Sequence, residues 1–456
     1  MSENLILNEI LNEIDQNKED YIEFFRKLVQ ADSINPPGNE KNVAIIIEDF
    51  LEEKGIKTEI FPFGDNRANL IAYLNDNFDG KNLLYNGHMD VVPPGSEEDW
   101  KYPPLSAYIK RNKYIYGRGT ADMKAALAAM VISLTILKKL SIKTSGNLIV
   151  NAVADEETGG KLGTGWCLDN VLKKRSIKCD FVLVGEASGL NPLPKAIILG
   201  EKGHLVIKVV TIGKSAHSMT PSMGKNAIYM MSRIIENLNK LEKYIPKIDP
   251  PFTIEELKEM VALALPPREN FDRIYNDQPL LRSMTESLTK FTKSLNLISG
   301  GIKVNVIPDR CEAFIDFRLI PGQTSEMIIN GLTQLINDIG FKVNNAPTEN
   351  LPEEVYIEIH GEGASSVWED YNKSQIAKEF KNIVENIYDK KSFFFLAPGA
   401  TDAHFYRNNG YCKETLHFGP GNARLLHATN EYIEIQDFIN SIKVYALFAY
   451  NFLSNK

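Results

Sequence analysis

The stretch Tyr85-Asn86-Gly87-His88-Met89-Asp90 constrains this chain more than any other. The apolar run Leu83-Leu84-Tyr85 reads as a buried strand that stops at Gly87, and His88 and Asp90 follow at once. Residues two apart in extended chain point the same way. A metal-ligating imidazole commonly passes its second N–H to a carboxylate, which fixes its tautomer and orientation. His88-x-Asp90 therefore reads as a ligand with its orienting partner. Related events follow downstream. Asp122 opens a long Ala-rich helix, Asn147 to Ala154 ends in Asp155-Glu156-Glu157, and Phe181 to Val184 ends at Gly185-Glu186. Singly, each has a plain reading: Asp122 as a helix N-cap favoured by unpaired N–H groups and the dipole, the three acids as a solvated loop. Jointly they carry a stronger one. Alternating strands and helices imply a largely parallel sheet, whose ligand site lies beyond the carboxyl ends of its strands. That edge receives His88, Asp122, Glu156, Glu157 and Glu186. An imidazole among carboxylates suits a hard-to-borderline divalent ion. The carboxylates are too many for one zinc, which points to two ions sharing one of them.

Composition narrows the partners. The chain has 456 residues, 43% hydrophobic and 24% charged, with a net charge of −8. An acidic chain lacks the basic face that nucleic acid or an anionic membrane would require. No apolar run reaches the roughly 18 residues of a membrane span. Cys167, Cys179, Cys311 and Cys412 lie far apart and suggest neither a zinc knuckle nor a disulfide framework, so a reducing cytoplasm is expected.

The rest of the chain reads as follows. Apolar spacing over Ile6 to Val29 predicts two helices broken near Gln16-Asn17. Thr58 to Phe61 and Leu70 to Tyr73 read as strands. From about Gly203 the pattern changes: Leu205 to Val210 alternates, Asn226 to Leu241 is helical, Ile302 to Ile307 and Glu312 to Leu319 read as a strand pair. Ser325 to Ile339 is helical and Val355 to Ile359 is a last strand. This is a βα-sandwich inserted in the chain, with a mixed, Pro-containing stretch at about 242–300. Helices at Ser374 to Tyr388 and Ile435 to Phe452 then resume the first pattern. The expected fold class is α/β, with a catalytic domain at 1–202 and 366–456 and an inserted α+β lid at 203–365.

The set Gly87-His88-x-Asp90, Gly117-Arg118-Gly119-x-x-Asp122-Met123-Lys124, Asp155-Glu156-Glu157-x-Gly159-Gly160, Gly185-Glu186, Ala216-His217-Ser218 and His427-x-x-Asn430-Glu431 resembles the co-catalytic zinc aminoacylase/carboxypeptidase family. That family includes acetylornithine deacetylase, succinyl-diaminopimelate desuccinylase, aminoacylase and glutamate carboxypeptidase. The motifs run in order from Ser33-x-Asn35-Pro36-Pro37-Gly38 to His427, nearly the whole chain. The long segment at about 242–300 is the departure. The resemblance implies a zinc-peptidase catalytic domain and two divalent ions per subunit, zinc first, cobalt or manganese otherwise. His88 and Glu186 would hold one ion, Glu157 and His427 the other, and Asp122 would bridge them. Asp90 would orient His88, the Asp122–Met123 peptide would be cis, and Glu156 would be the general base.

Two ions of this kind acidify water and polarise an amide carbonyl, Glu156 moves the proton, and the tetrahedral oxyanion needs a donor. His217 resembles the family's donor, reaching in dimeric members from the partner's lid, so a homodimer through the lid is expected. By residue type alone it is a surface histidine. Asn305 and Arg318 sit where related amidohydrolases grip a substrate carboxylate, a task that suits a planar guanidinium. The alternative pairs Arg318 with a lid acid. Gly399 and Thr401 resemble the family's pocket loop. The expected substrate is an N-acyl amino acid, as for succinyl-diaminopimelate desuccinylase or acetylornithine deacetylase. The alternatives are a carboxypeptidase or dipeptidase acting on short peptides at the same site, and an inactive metal-binding scaffold.

Overall fold

The computed structural model of the chain describes residues 3–191, 193–344 and 354–454. Helices Glu3–Gln16 and Lys18–Gln30 open it, and they part at Asn17, as the apolar spacing predicts. Among the described residues the largest sheet has nine strands. Across it run Lys57–Phe63, Arg67–Tyr73, Asn147–Val153, Asn82–His88, Phe181–Val184, Thr415–His417, Ala196–Glu201 and Ser366–Val367, with Phe393–Ala397 also paired to Ala196–Glu201. The four central strands, from Asn147–Val153 to Thr415–His417, are parallel. The flanks are joined by antiparallel pairs, so the expected parallel sheet is the middle of a mixed one. Asn82–His88 and Asn147–Val153 are buried at every position. Helices cover both faces, which is why these strands read as near-continuous apolar runs.

One face carries the Ala-rich helix Lys124–Lys139 and the closing helix Ile435–Ser454, in one core with the N-terminal helices. Glycine brings the first of these close. A Cβ at Gly87 would sit 2.9 Å from Met123 Cε, and one at Gly185 would sit 2.5 Å from the same atom. The start of the helix therefore rests on the ends of two strands and carries Asp122 over the sheet edge.

A second, five-stranded sheet runs in the order Thr292–Gly300, Arg310–Leu319, Gly203–Ile212, Glu354–Gly363, Lys342–Asn344. Helices Ala227–Asn237 and Ser325–Asp338 contribute to its own apolar core. The expected strand at Ile302 to Ile307 is not there. Its place beside Arg310–Leu319 belongs to Thr292–Gly300, and Ile302 and Val304 stand almost wholly in solvent. Their alternation marks a surface loop, not a buried face. A small third sheet, Tyr432–Glu434, Tyr114–Tyr116 and Tyr108–Lys110, has no counterpart among the sequence-based strands.

The stretch expected to be mixed forms helices Ile254–Ala262, Arg268–Asp277 and Pro279–Leu288. Thr253 and Glu256 form a capping box at the first of them, a signature readable in Thr-x-x-Glu. These helices fall inside the segment expected to be the lid, yet Phe252, Leu257, Val261, Phe271, Leu281 and Leu288 join the core of the large sheet. Lys202, at the crossing between the sheets, donates to Ser287 O at 2.7 Å and Lys290 O at 2.6 Å, tying the insert down. The four cysteines are free and buried. Among the described residues no helix is long and apolar enough to cross a membrane.

Candidate metal centre

Strand ends and one helix start build the site. His88 is fully buried at the end of Asn82–His88, and Asp122 immediately precedes the helix Met123 leads into. The Asp122–Met123 peptide is cis. The two oxygens of Asp122 face two imidazoles: Oδ1 lies 3.2 Å from His88 Nε2, and Oδ2 lies 3.0 Å from His427 Nε2. Glu157 Oε2 is 3.1 Å from His427 Nε2, and Glu186 Oε1 is 3.6 Å from His88 Nε2. Glu156 Oε2 stands 3.9 Å from His88 Nε2. Five residues from four separate segments thus surround Asp122.

Asp90 differs from expectation. His88 Nδ1 contacts the Asp90 carbonyl at 2.8 Å, while the Asp90 carboxylate is 3.6 Å away. That carboxylate instead accepts from the backbone N–H groups of Glu156 at 3.2 Å and Glu157 at 3.1 Å, and from Asn35 Nδ2 at 2.9 Å. Asp90 therefore fixes the turn bearing the two glutamates. Of the three consecutive acids, Asp155 turns away at φ 73° and pairs with Arg67 at 3.2 Å. Its neighbours are left to face the imidazoles.

The electrostatics ask for cations. Among the described residues no lysine or arginine pairs with Asp122, Glu156, Glu157 or Glu186. Burial, with Glu186, Glu157 and Asp402 adding to it against the pull of His88, pushes the Glu156 carboxyl well above its ordinary range. Burial and then Asp122 push Glu186 up to about 8. Burial and Asp122 likewise raise Glu157. Burial disfavours the His88 imidazolium, yet the surrounding carboxylates hold it well above normal. Hydrogen bonds to Asp122 and Glu157 raise His427 to about 10. Burial would raise Asp122, but the two histidines hold it below its usual value. Glu157 Oε1 and Glu186 Oε1 are buried with no hydrogen-bond partner among the described residues. Buried carboxylate oxygens without donors are costly, and the donor set fits divalent ions of the zinc type. His88, Asp122 and Glu157 form one group close enough to share an ion, and His88, Glu156 and Glu186 another.

The remaining expected residues lie elsewhere. His217 is on an exposed lid loop, bridged to Val306, with Nδ1 accepting from Met219 N at 3.1 Å. No hydrogen bond or ion pair joins it to the cluster among the described residues. Asn305 is beside it, its carbonyl accepting from Ser218 N, and its Oδ1 has no partner among the described residues. Arg318 is held by Asp316 at 2.8 and 3.1 Å, the alternative of an ion pair within the lid. Gly399 borders open space, and the Thr401 carbonyl contacts His404 Nδ1 at 2.7 Å.

Asp402 was not singled out from sequence. It is buried, accepts from Thr164 Oγ1 at 2.8 Å and Asn86 Nδ2 at 3.2 Å, and is pushed up to about 7 by burial. Its position just before the helix Ala403–Asn408 was the available signal. Asn35 had only its Asn-Pro-Pro-Gly turn to mark it.

Comparison with known proteins places this geometry. The model of peptidase family M20/M25/M40 matches residues 84–451. A probable succinyl-diaminopimelate desuccinylase of Staphylococcus aureus (strain N315) is 27% identical over 447 residues, covering 96% of this chain and 99% of the relative. A succinyl-diaminopimelate desuccinylase of Coxiella burnetii (strain Dugway 5J108-111) is 28% identical over 426 residues, covering 93% and 97%. The crystal structure of an M20 family metallo-carboxypeptidase from Sulfolobus solfataricus superposes with a TM-score of 0.74 at 22% identity, covering 100% of both chains. The α/β fold with its second sheet and the strand-edge cluster agree with that match, and the chain belongs to peptidase family M20/M25/M40, whose members are hydrolases of amide bonds.

Proposed function

We propose that this chain is a two-metal amidohydrolase that removes the acyl group from an N-acyl amino acid, of the succinyl-diaminopimelate desuccinylase or acetylornithine deacetylase type. One observation carries the reading: Asp122 offers one oxygen to the His88 side and the other to the His427 side. His88 and Glu186 would hold one divalent ion, Glu157 and His427 the other, with Asp122 shared; zinc suits this donor set, and cobalt or manganese can stand in. When bound, the ions supply Lewis acidity, which polarises the amide carbonyl and acidifies water. Glu156 lies beside the His88 half of the cluster, 3.9 Å from His88 Nε2, without being needed as a ligand. It takes the proton from water and returns it to the leaving amine. Asp90 holds the Glu156–Glu157 turn so that one glutamate faces a metal while its neighbour moves protons.

His217 is the proposed oxyanion donor. Its exposure on the lid supports donation across a lid-to-lid dimer, as does the apolar surface around it, where Met219, Met223, Tyr229 and Ile302 are 79%, 64%, 72% and 94% exposed. Asn305, whose Oδ1 has no partner among the described residues, is the proposed substrate contact. Arg318 serves only if substrate draws it from Asp316, and Gly399 and Thr401 complete the pocket. The domain division belongs to the same reading, with residues 203–365 as the lid apart from its helical insert and 1–202 with 366–456 as the catalytic part. A cytoplasmic location, with four reduced thiols, is proposed as well.

A panel of N-succinyl, N-acetyl and dipeptide substrates with added zinc or cobalt, read by released amine, tests the reaction class. Release from N-succinyl or N-acetyl amino acids at rates above those of dipeptides is the expected result. Cleavage of dipeptides or C-terminal residues alone would move the enzyme to the peptidase reading, and no hydrolysis of any member would leave the scaffold reading.

A further inference from the structure

The motif His427-x-x-Asn430-Glu431 contains an acid that the chemistry above does not use. Glu431 is fully buried. Its Oε1 accepts from Ala121 N at 2.7 Å and Asp122 N at 3.1 Å, and its Oε2 accepts from Gly119 N at 3.1 Å and Arg118 Nη1 at 2.6 Å. One carboxylate thus gathers three backbone donors, Gly119, Ala121 and Asp122, of the turn that carries Asp122. Arg118 faces the other way. Its Nη2 donates to the His427 carbonyl at 3.3 Å and its Nη1 to the Ala428 carbonyl at 3.3 Å. Two antiparallel strands set this up. Tyr116 lies opposite Tyr432, and Gly117 N donates to Glu431 O at 3.0 Å, so the segment after the first strand runs beside the segment before the second. His427 itself sits at φ 60°, a left-handed conformation that a histidine rarely holds unless its neighbours fix it, and its side chain is 55% exposed. Little packs around the imidazole, so its position depends on its backbone.

We propose that Glu431 and Arg118 form a clamp of positioning residues that locks the His427 loop to the Asp122 turn and so fixes the spacing of the second metal position. This rests on the two-metal reading. Asp122 and His427, two of the three ligands of that position, come from segments more than 300 residues apart in sequence, and the clamp is where their backbones are tied. Neither clamp residue touches substrate or a metal position. Ligand-orienting partners of this kind alter metal affinity by roughly 10–100-fold when removed.

The probe is Zn2+ alone, titrated calorimetrically into metal-stripped full-length protein in a chelator buffer. Wild type takes two equivalents with two dissociation constants. Glu431→Gln keeps the shape but puts an NH2 against either the Ala121 and Asp122 donors or the Gly119 and Arg118 donors. The ratio of the second constant to the first widens at least about ten-fold. Arg118→Lys keeps a charge but loses the paired carbonyl contacts, widens the ratio in the same direction, and serves as the deciding variant if Glu431→Gln does not fold. A lower melting temperature with an unchanged ratio would make the clamp merely structural and overturn the proposal, as would equal weakening of both equivalents. Wild type that never takes a second equivalent would sink the two-metal reading and the clamp with it. Two wild-type equivalents with unaltered ratios in the folded variants would sink the clamp alone.

Discussion

Glu156 and Glu157 are neighbours in sequence for which different work is proposed, and their separation is a matter of which atoms each one faces. Glu157 lies against His427, whereas Glu156 remains nearer His88 with its backbone N–H held by Asp90. Glu156→Gln is expected to lower kcat by about 10²–10⁴-fold while leaving bound metal unchanged, since a general base contributes that much. Steady-state kinetics beside elemental analysis of the same preparation check it, and an unchanged kcat would remove Glu156 from the mechanism. A second residue predicts a pH effect. His417 is buried with no partner on Nδ1 among the described residues, and burial, followed by the Arg407 charge, lowers its pKa to about 3. The unfolded chain then binds that proton more readily than the folded one between roughly pH 6.5 and 3. The stability this histidine contributes is fully present above the unfolded value and is lost as pH falls through that window. At pH 5 the loss is about 2 kcal/mol, and His417→Leu should show a shallower fall between pH 7 and 5 in urea unfolding. An equal slope in variant and wild type would contradict the burial argument.

The elements show what sequence could and could not reveal. Three strand ends and one helix start carry the candidate ligands to one edge because apolar run followed by acid is visible in primary structure, and the motif at His427 is visible only as a resemblance. The partner of His88 was not legible: His-x-Asp spacing fits either the Asp90 carboxylate or its carbonyl, and only coordinates separate a side chain from the backbone that bears it. The strand Thr292–Gly300 was missed because an edge strand with Lys293, Ser294 and Asn296 lacks buried alternation. Its apolar neighbours Ile302 and Val304 misled for the opposite reason, being apolar and exposed. Asp402 is an ordinary acid in sequence and Glu431 is marked only by its motif, and the burial of both against backbone or amide donors is a purely tertiary fact. At this scale Gly87→Ala is expected to push Met123 and Leu127 away from the sheet, destabilising the fold by about 1–3 kcal/mol, with Asp122 displaced and metal affinity reduced. Chemical denaturation and metal titration measure both. Full stability and full affinity together would show that the close approach of helix and strand is unnecessary.

Over the whole molecule, two sheets with separate cores meet at the crossings 201–203 and 363–366, and Arg407 binds Glu201 at 2.8 Å and Ser366 Oγ at 2.8 Å beneath them. The helical insert spans this junction by leaving the second sheet and packing on the first. Lys202→Met would strand the Ser287 and Lys290 carbonyls, costing about 1–3 kcal/mol, and proteolysis should then cut first within 250–290. Unchanged cleavage would mean that Lys202 does not hold the insert. The exposed lid surface leads to the dimer test. Glu156→Ala and His217→Ala protomers, each inactive, should recover roughly a quarter of wild-type activity when randomly mixed as isologous dimers. No recovery after confirmed exchange would place His217 in its own subunit or outside catalysis.

All of this depends on a pair of ions held around Asp122. Elemental analysis of metal-replete, desalted protein measures it directly: the arrangement predicts two divalent transition-metal ions per chain in wild type and a loss of one in His427→Ala. A stoichiometry near zero, or two ions retained without His427, would contradict it.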